Sequence, residues 1–203
     1  MSPQLYLASR SPRRQELLRQ LGLRFEVVAG DVPEAPRPGR SAAEHAVALA
    51  LAKARAGAGG ARGVAPVLGA DTDVVVDGEI LGKPGDRAQA LRMLARLAKR
   101  THEVYSGVAV VQGARMETAL SLSRVTFGAI TPAEAAAYWD SGEPADKAGA
   151  YAIQGLGARF VKNLEGSYSG VMGLPLYETC DLLQRFGIDV FSPASSLQHP
   201  ASA

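Results

Sequence analysis

The turn at residues 9–14, SRSPRR, combines hydroxyl and guanidinium groups where a predicted strand passes into a predicted helix. Free N–H groups and the helix dipole at a helix N-terminus favour an anion. Ser9, Arg13 and Arg14 would add donors that match phosphate oxygens. An ordinary capped helix with a solvated basic first turn has the same residues, so this segment alone leaves both interpretations open.

Two acidic residues stand where a carboxylate could serve phosphate chemistry. Asp71 follows an apolar segment and is predicted to end a strand, where active-site residues of α/β folds commonly emerge. Glu34 lies in a loop rich in Pro and Gly. Carboxylates beside phosphates suit a bridging Mg²⁺ or Mn²⁺, and Asp71 could instead be a general base toward water. Taken singly, a turn residue and a solvated loop charge are the more ordinary interpretations.

Three isolated lysines could converge on one triphosphate. Lys53 lies on the apolar side of an alanine-rich predicted helix, whereas Lys83 and Lys147 lie in predicted loops. The alternative is that each is exposed or extends its ammonium to solvent, which is the usual position of a lysine.

Gln154 is predicted at the end of a short apolar strand, residues 150–153. Its amide offers a donor and an acceptor side by side, which complements N3–H and O4 of uracil or thymine. A hydrogen-bonded loop glutamine is the simpler alternative. His102, at the start of another predicted strand, is interpreted as structural rather than catalytic.

The elements that must position these residues alternate between strands and helices, with a strand-rich middle. Strands are predicted at residues 4–8, 25–29, 66–69, 72–76, 104–111, 150–153 and 160–164. A further strand is predicted after the turn at residues 112–113 and ends near Phe127. Helices are predicted from Ser11, from Ser41 to about Ala56, from Asp86 to Leu97, from Thr131, and from Pro175 to Gly187. This order predicts an α/β fold: a mixed, partly antiparallel twisted sheet flanked by helices, with two lobes around a central cleft.

Composition limits the class of protein. The chain has 203 residues, 47% of them hydrophobic, so it can bury a sizeable core. A formal net charge of +2 does not suit a dedicated nucleic-acid binder, so no stable nucleic-acid partner is expected. The single cysteine excludes an internal disulfide, and the three separated histidines disfavour a zinc site.

The sequence shows no signal peptide and no membrane-spanning stretch, so a cytoplasmic protein without a membrane partner is expected. One domain is predicted over residues 1–191, followed by a disordered tail at 192–203. There is no Walker A sequence, no Gly-x-Ser-x-Gly elbow and no His-x-x-x-His pair, which disfavours P-loop kinases, α/β-hydrolases and zincins.

Together these segments resemble the Maf family of nucleotide pyrophosphatases. The matching blocks are ASRSPRRQELL at 8–18, AKA at 52–54, LGADT at 68–72, GKP at 82–84, THEV at 101–104, the stretch 143–155, GSY at 166–168 and VMGLPL at 171–176. Each block alone is weakly specific, but their joint order over residues 4–187 is highly specific.

The resemblance implies a hydrolase with a central cleft, often a homodimer. Water attacks the α-phosphorus of a nucleoside triphosphate and pyrophosphate leaves, assisted by a divalent cation. Asp71 matches the family's proton acceptor, and Arg13, Thr72 and Gln154 match positions tied to substrate choice. Residues Ser9, Arg14, Glu34, Lys53 and Lys83 match other cleft positions. Glu34 and Asp71 are the expected metal ligands, and Lys147 is an expected substrate contact.

Three blocks resemble the dTTP/UTP branch of the family rather than its 7-methyl-GTP branch: Asp71-Thr72, residues 146–151 and residues 153–155. The chain departs from the family pattern at Arg10, where a small residue is usual, at residues 98–100, and at Gly170, where Asn or a similar residue is usual. Two alternatives stay open: a pyrophosphatase for a purine or modified nucleotide, and a non-enzymatic regulator of septum formation.

Overall fold

The computed structural model describes residues 2–35 and 39–191. The helices are α1 (Pro12–Gln20), α2 (Ala42–Ala58), α3 (Arg87–Leu97), α4 (Pro132–Asp140), α5 (Tyr168–Met172) and α6 (Leu176–Arg185). The strands are β1 (Leu5–Leu7), β2 (Phe25–Val27), β3 (Val67–Val76), β4 (Glu79–Leu81), β5 (Thr101–Gln112), β6 (Arg115–Phe127) and β7 (Val161–Glu165). Short 3-10 helices occur at Glu143–Asp146, Ala148–Ala150 and Leu156–Phe160.

The strands form one sheet in the order β2-β1-β3-β5-β6-β7, with β4 paired to β3. The pairs of β1 with β2 and with β3 are parallel, and the pairs of β3 with β4 and β5, β5 with β6, and β6 with β7 are antiparallel. The predicted mixed, partly antiparallel sheet flanked by helices is therefore confirmed.

One edge of β3 is open at its centre. On the edge away from β5, β1 pairs with β3 only as far as Leu68, and β4 pairs with it only from Val74 onward. The stretch between these two pairings therefore faces a gap in the sheet. Asp71, Thr72 and Asp73 lie in this stretch. Two separate hydrophobic clusters flank it, one containing Leu68 and the other Val74.

Helix α2 packs against the sheet at very short range, because glycines lie beneath it. A Cβ atom on Gly69 would lie 2.3 Å from the Ala50 carbonyl oxygen, and one on Gly107 would lie 2.4 Å from the Ala46 carbonyl oxygen. Ala46 and Ala50 are themselves fully buried at this contact. The helix is therefore fixed beside the central residues of β3.

Most predicted boundaries agree with the structure. Capping boxes start α2 at Ser41 and α4 at Thr131, Asp86 caps α3 through the Gln89 N–H, and the Asp77-Gly78 turn joins β3 to β4. Of the residues described, none belongs to a helix long and apolar enough to cross a membrane.

Two expectations about elements were wrong, and a third, at Ser11, holds for the N-cap position but not for a side-chain cap. The predicted strands 66–69 and 72–76 are one strand, so Asp71 lies within β3 rather than at its end. Ser11 precedes α1, but its side chain makes no capping hydrogen bond. Residues 150–153 are not a strand: Ala148–Ala150 is a 3-10 helix in which Gly149 has φ of 67°, and Ala150 has φ of 59°. The predicted tail at 192–203 lies outside the described residues.

Candidate active site

A cleft of about 700 Å³ opens at the gap beside β3. It is lined by the β1–α1 turn, the β2–α2 loop, α2, the centre of β3, the loop after β4 and the segment 146–154. Every residue expected to bind substrate or metal or to act in catalysis lines this one cleft: Ser9, Arg13, Arg14, Glu34, Lys53, Asp71, Thr72, Lys83, Lys147 and Gln154. The predicted convergence of these side chains is thus what the structure contains.

The centre of the cleft is a lysine held between two carboxylates. Lys53 Nζ donates to Asp71 Oδ1 at 2.7 Å and to Glu34 Oε1 at 2.5 Å. The Lys53 and Asp71 side chains are only 9% and 10% exposed, whereas Glu34 is 52% exposed. Lys53 therefore joins a buried acid to one that faces solvent.

Glu34 lies within reach of further cations. Its Oε2 is 4.0 Å from Lys83 Nζ. Partial burial opposes ionisation of Glu34, but the hydrogen bond and charge of Lys53, with contributions from Lys83 and Arg14, outweigh it and lower the pKa. Glu34 is accordingly held as a carboxylate at the cleft entrance.

A second pair between α2 and β3 was missed by the sequence reasoning. His45 Nδ1 lies 2.7 Å from Asp73 Oδ2, and both side chains are buried. Burial raises the pKa of Asp73, and the hydrogen bond from His45 offsets this only in part. Ligand atoms from His45, Asp71 and Asp73 lie within 4.8 Å of one another, a spacing that could hold a metal ion.

The residue spacing in the sequence carries a signal for the pair of His45 and Asp73. Asp71 and Asp73 are two apart, which places both on one face of a strand. His45 and Lys53 are eight apart, about two helical turns, which places both on one face of α2. The expectation that the histidines have no metal-ligand spacing holds along the sequence, but it overlooked this contact between elements.

The basic turn after β1 is anchored by the backbone carbonyls of Met172 and Gly173, which also line the cleft. Arg14 Nε donates to the Gly173 carbonyl at 2.7 Å, and its Nη1 donates to Ser9 Oγ at 3.3 Å. Arg13 Nε donates to the Met172 carbonyl at 3.3 Å. Burial lowers the pKa of both arginines, and nearby carboxylates oppose that effect only in part. Their positions are therefore set before any anion arrives.

Arg10, the departure from the family pattern in this turn, forms an exposed ion pair with Asp31. Its Nη2 lies 3.0 Å from Asp31 Oδ2, and the two side chains are 75% and 72% exposed. Asp31 is thus a solvated loop charge. Arg10 thus adds a cation at the rim of the cleft rather than at its centre.

Glu143 shapes the segment that carries Gln154. It accepts hydrogen bonds from Tyr138 Oη at 2.6 Å and from the N–H groups of Leu156 at 2.9 Å and Gly157 at 3.0 Å. These bonds fold residues 143–157 into a compact turn, on which Gln154 lies at the cleft. Lys147 donates to the Glu143 carbonyl at 3.2 Å and pairs with Asp146.

His102 lies apart from these groups. It is 1% exposed and its Nε2 is 2.9 Å from Tyr151 Oη. Its ring meets Phe127 and Tyr151 edge to face, with ring centroids 4.9 and 5.4 Å away. Burial lowers the pKa of His102 to about 4. His102 does not line the cleft, and its structural role stays a prediction.

Comparison with known proteins identifies relatives over most of the chain. The family described as Maf-like protein matches residues 4–186. A dTTP/UTP pyrophosphatase from Methylococcus capsulatus is 53% identical over 184 residues, covering 91% of both chains. Proteins with the same name from Bordetella parapertussis and Hahella chejuensis are each 50% identical, covering 93% of this chain and 95% and 94% of theirs. By family match and by identity alike, the chain belongs to the Maf family.

Proposed function

We propose that the chain is a nucleoside triphosphate pyrophosphatase that hydrolyses dTTP and UTP to the monophosphate and pyrophosphate. The observation that carries this proposal is the Lys53 bridge between Glu34 and Asp71, set in a cleft with further cations. The names of relatives about half identical in sequence support the substrate class. The proposed role is removal of unwanted nucleotides from the cytoplasmic pool.

The charges of the cleft suit a triphosphate. Six arginine and lysine side chains line it: Arg10 at the rim, and Arg13, Arg14, Lys53, Lys83 and Lys147. Arginine forks match phosphate oxygens, and the two arginines follow the turn into a helix N-terminus, where backbone N–H groups also favour anions. In our proposal Ser9, Arg13, Arg14 and Lys147 bind substrate, while Lys53 and Lys83 serve the reacting phosphates.

Asp71 is the proposed proton acceptor for the attacking water. It is one of the few buried carboxylates that line the cleft, and Lys53 fixes the position of its Oδ1. Proton transfer to a positioned carboxylate typically contributes a factor of about 10²–10⁴ in rate. Attack at the α-phosphorus then releases pyrophosphate as the leaving group.

A divalent cation fits the donor set, with Glu34 and Asp71 as proposed ligands. Lys53 contacts one oxygen of each carboxylate, and each carboxylate carries a second oxygen. Oxygen ligands are what Mg²⁺ and Mn²⁺ prefer. His45 and Asp73 form an alternative set with Asp71, and His45 Nε2 is buried with no hydrogen-bond partner among the described residues. When bound, the cation would stabilise negative charge on the phosphate oxygens.

Gln154 and Thr72 are the proposed base-selecting residues. Both line the cleft, and the Gln154 amide can pair with the N3–H and O4 edge of uracil or thymine. A homodimer is also proposed, because the resembling family is often dimeric, and light scattering tests it.

A screen of purified protein tests the main proposal. Each of the common nucleoside triphosphates is incubated with Mg²⁺ or Mn²⁺, and pyrophosphate and monophosphate are measured, with and without a chelator. We expect dTTP and UTP to be hydrolysed fastest and the chelator to stop the reaction. If a purine or modified nucleotide is hydrolysed faster than dTTP and UTP, the proposed substrate class is wrong and that nucleotide takes its place. No hydrolysis, with salt-sensitive retention on a protein or nucleic acid, would favour the regulator.

A further inference from the structure

Thr72 and Ser106 lie directly opposite each other on β3 and β5. Thr72 Oγ1 is 3.2 Å from Ser106 Oγ, and Ser106 Oγ is 2.7 Å from the carbonyl oxygen of Gly170 in α5. Thr72 lines the cleft, whereas Ser106 is 1% exposed. The three groups therefore form a short chain from the protein interior to the cleft.

The direction of the hydrogen bonds in this chain follows from simple proton counting. A carbonyl oxygen only accepts, so the single proton of the Ser106 hydroxyl is committed to Gly170. The 3.2 Å contact is then a hydrogen bond only if Thr72 is its donor. The only proton of the Thr72 hydroxyl thus points away from the cleft, toward Ser106. What remains for a ligand is the lone pair of Thr72 Oγ1.

We propose that Ser106 is a positioning residue that makes Thr72 an obligate hydrogen-bond acceptor, so the substrate group at Thr72 must carry an N–H or O–H donor. This inference rests on the proposed function and extends it. Both proposed substrates offer such donors: the 3′-hydroxyl of the sugar, and the imide N3–H of the base in a pose where the Gln154 amide contacts O4 alone. Cytosine has an acceptor at N3, which would meet the lone pair of Thr72 unfavourably.

The departure from the family pattern at residue 170 leaves this chain of bonds intact, because Ser106 contacts a backbone oxygen. The segment that carries Gly170 is held by a second buried serine. Ser167 N–H donates to Ser123 Oγ at 2.9 Å, and Ser123 Oγ donates to the Ser167 carbonyl at 3.3 Å. Ser123 thus anchors the same segment through residues other than Thr72, and Ser123→Ala is a matched control.

The test is a comparison of substrate pairs in wild type, Ser106→Ala and Ser123→Ala. The pair dUTP and dCTP tests the base edge, and the pair dTTP and 3′-deoxythymidine triphosphate tests the sugar. For each pair, the ratio of kcat/KM and the ratio of Kd for the α,β-imido analogues are measured. In Ser106→Ala the Thr72 hydroxyl is free to rotate and to donate. We expect the ratio for one pair to shrink by about tenfold in this variant, with no change in Ser123→Ala.

A smaller dUTP/dCTP ratio would assign the donor to the base, and a smaller ratio for the second pair would assign it to the sugar. Equal loss on every nucleotide would be a structural effect only and would overturn the inference while leaving the proposed function in place. Absence of hydrolysis by wild type would refute the proposed function, and the Kd ratios would still decide the role of Ser106. If Ser106→Ala does not fold, both ratios are measured in Thr72→Val and Thr72→Ser instead. Thr72→Val should shrink one of the two ratios, and Thr72→Ser should keep that ratio near the wild-type value. Unchanged ratios in Thr72→Val would overturn the inference.

Discussion

The ammonium nitrogen of Lys53 lies 2.7 Å from Oδ1 of Asp71, and both side chains are about nine-tenths buried. This contact joins α2 to the centre of β3, the strand whose open edge forms the cleft. Glu34 shares the same ammonium from the solvent side. The arrangement fixes a buried carboxylate at the cleft, and several expectations of the proposed function depend on it.

Replacing Asp71 by Asn should remove the proposed proton acceptor while keeping the shape of the side chain. We expect kcat on dTTP to fall by about 10²–10⁴-fold, with a circular dichroism spectrum like that of wild type. Asp140→Asn is the control, because Asp140 is an exposed residue that pairs with Arg87 at 3.5 Å. Turnover by Asp71→Asn within a few-fold of wild type would remove Asp71 from the mechanism.

Lys53→Met should destabilise the fold, because it leaves the buried Asp71 carboxylate without its cation. The expected loss in the free energy of unfolding is about 3 kcal/mol, measured by urea denaturation. Combining it with Asp71→Asn should cost less than the sum of the two single changes, since each removes the same pair. Lys83→Met, at a side chain 62% exposed, should change stability little. Strict additivity would argue against the buried pair.

The cation ligands can be separated by titrating Mg²⁺ or Mn²⁺ against activity. If Glu34 and Asp71 hold the ion, Glu34→Gln should raise the cation concentration for half-maximal activity at least about tenfold, because a charged oxygen ligand is lost. His45→Gln is measured alongside. A larger shift in His45→Gln than in Glu34→Gln would transfer the site to the set of His45, Asp71 and Asp73.

Gln154→Glu replaces an amide donor by an acceptor at nearly constant size. We expect kcat/KM for dTTP and UTP to fall by an amount equivalent to about 1–3 kcal/mol, because O4 of the base would lose its donor. Gln184→Glu, on α6, makes the same chemical change at an exposed position outside the cleft lining and serves as control. Equal rates for wild type and Gln154→Glu would show that this amide does not contact the base.

His102 should make stability depend on pH. Burial lowers its pKa from 6.5 to about 4, so between these values the unfolded chain binds a proton that the folded protein excludes. The contribution of neutral His102 to the free energy of unfolding is therefore present above pH 6.5 and is lost as the pH drops toward 4. Between pH 7 and pH 4.5, this one group should lower the free energy of unfolding by about 2 kcal/mol.

The comparison for this prediction is His102→Gln, which keeps a polar partner for Tyr151 but cannot titrate. Urea unfolding of both proteins at pH 7 and pH 4.5 gives the difference. The variant should lose less stability than wild type on acidification. Equal losses in the two proteins would mean that His102 is already charged in the folded state or exposed to solvent.

The sequence allowed most of the site to be predicted, because phosphate chemistry leaves a local signature. The basic turn at residues 9–14, the lysine on an apolar helix face and the acid after an apolar run are each visible in a few residues. Their convergence rested on the family resemblance. Element starts at Ser41, Asp86 and Thr131 were also predictable, since capping side chains act within three residues.

The errors come from contacts between residues far apart in the chain. The strands predicted at residues 66–69 and 72–76 are one strand, in which Gly69 allows α2 to approach closely. Residues 150–153 have a strand-like composition. However, Glu143 accepts hydrogen bonds from the N–H groups of Leu156 and Gly157, and these bonds fold the region into a turn. The pairing of His45 with Asp73 needs the same packing of helix on strand. None of these contacts is encoded in local propensity.

The backbone-to-backbone packing of α2 at Gly69 and Gly107 has a mechanical consequence. Because backbone meets backbone at these two points, α2 has little room to shift against β3, and the part of the cleft that carries Lys53 and Asp71 is stiff. Turns that line other parts of the cleft are held by side-chain hydrogen bonds, such as that of Arg14 to the Gly173 carbonyl. If the cleft tightens around a nucleotide, we therefore expect the movement in these turns rather than in α2 and β3.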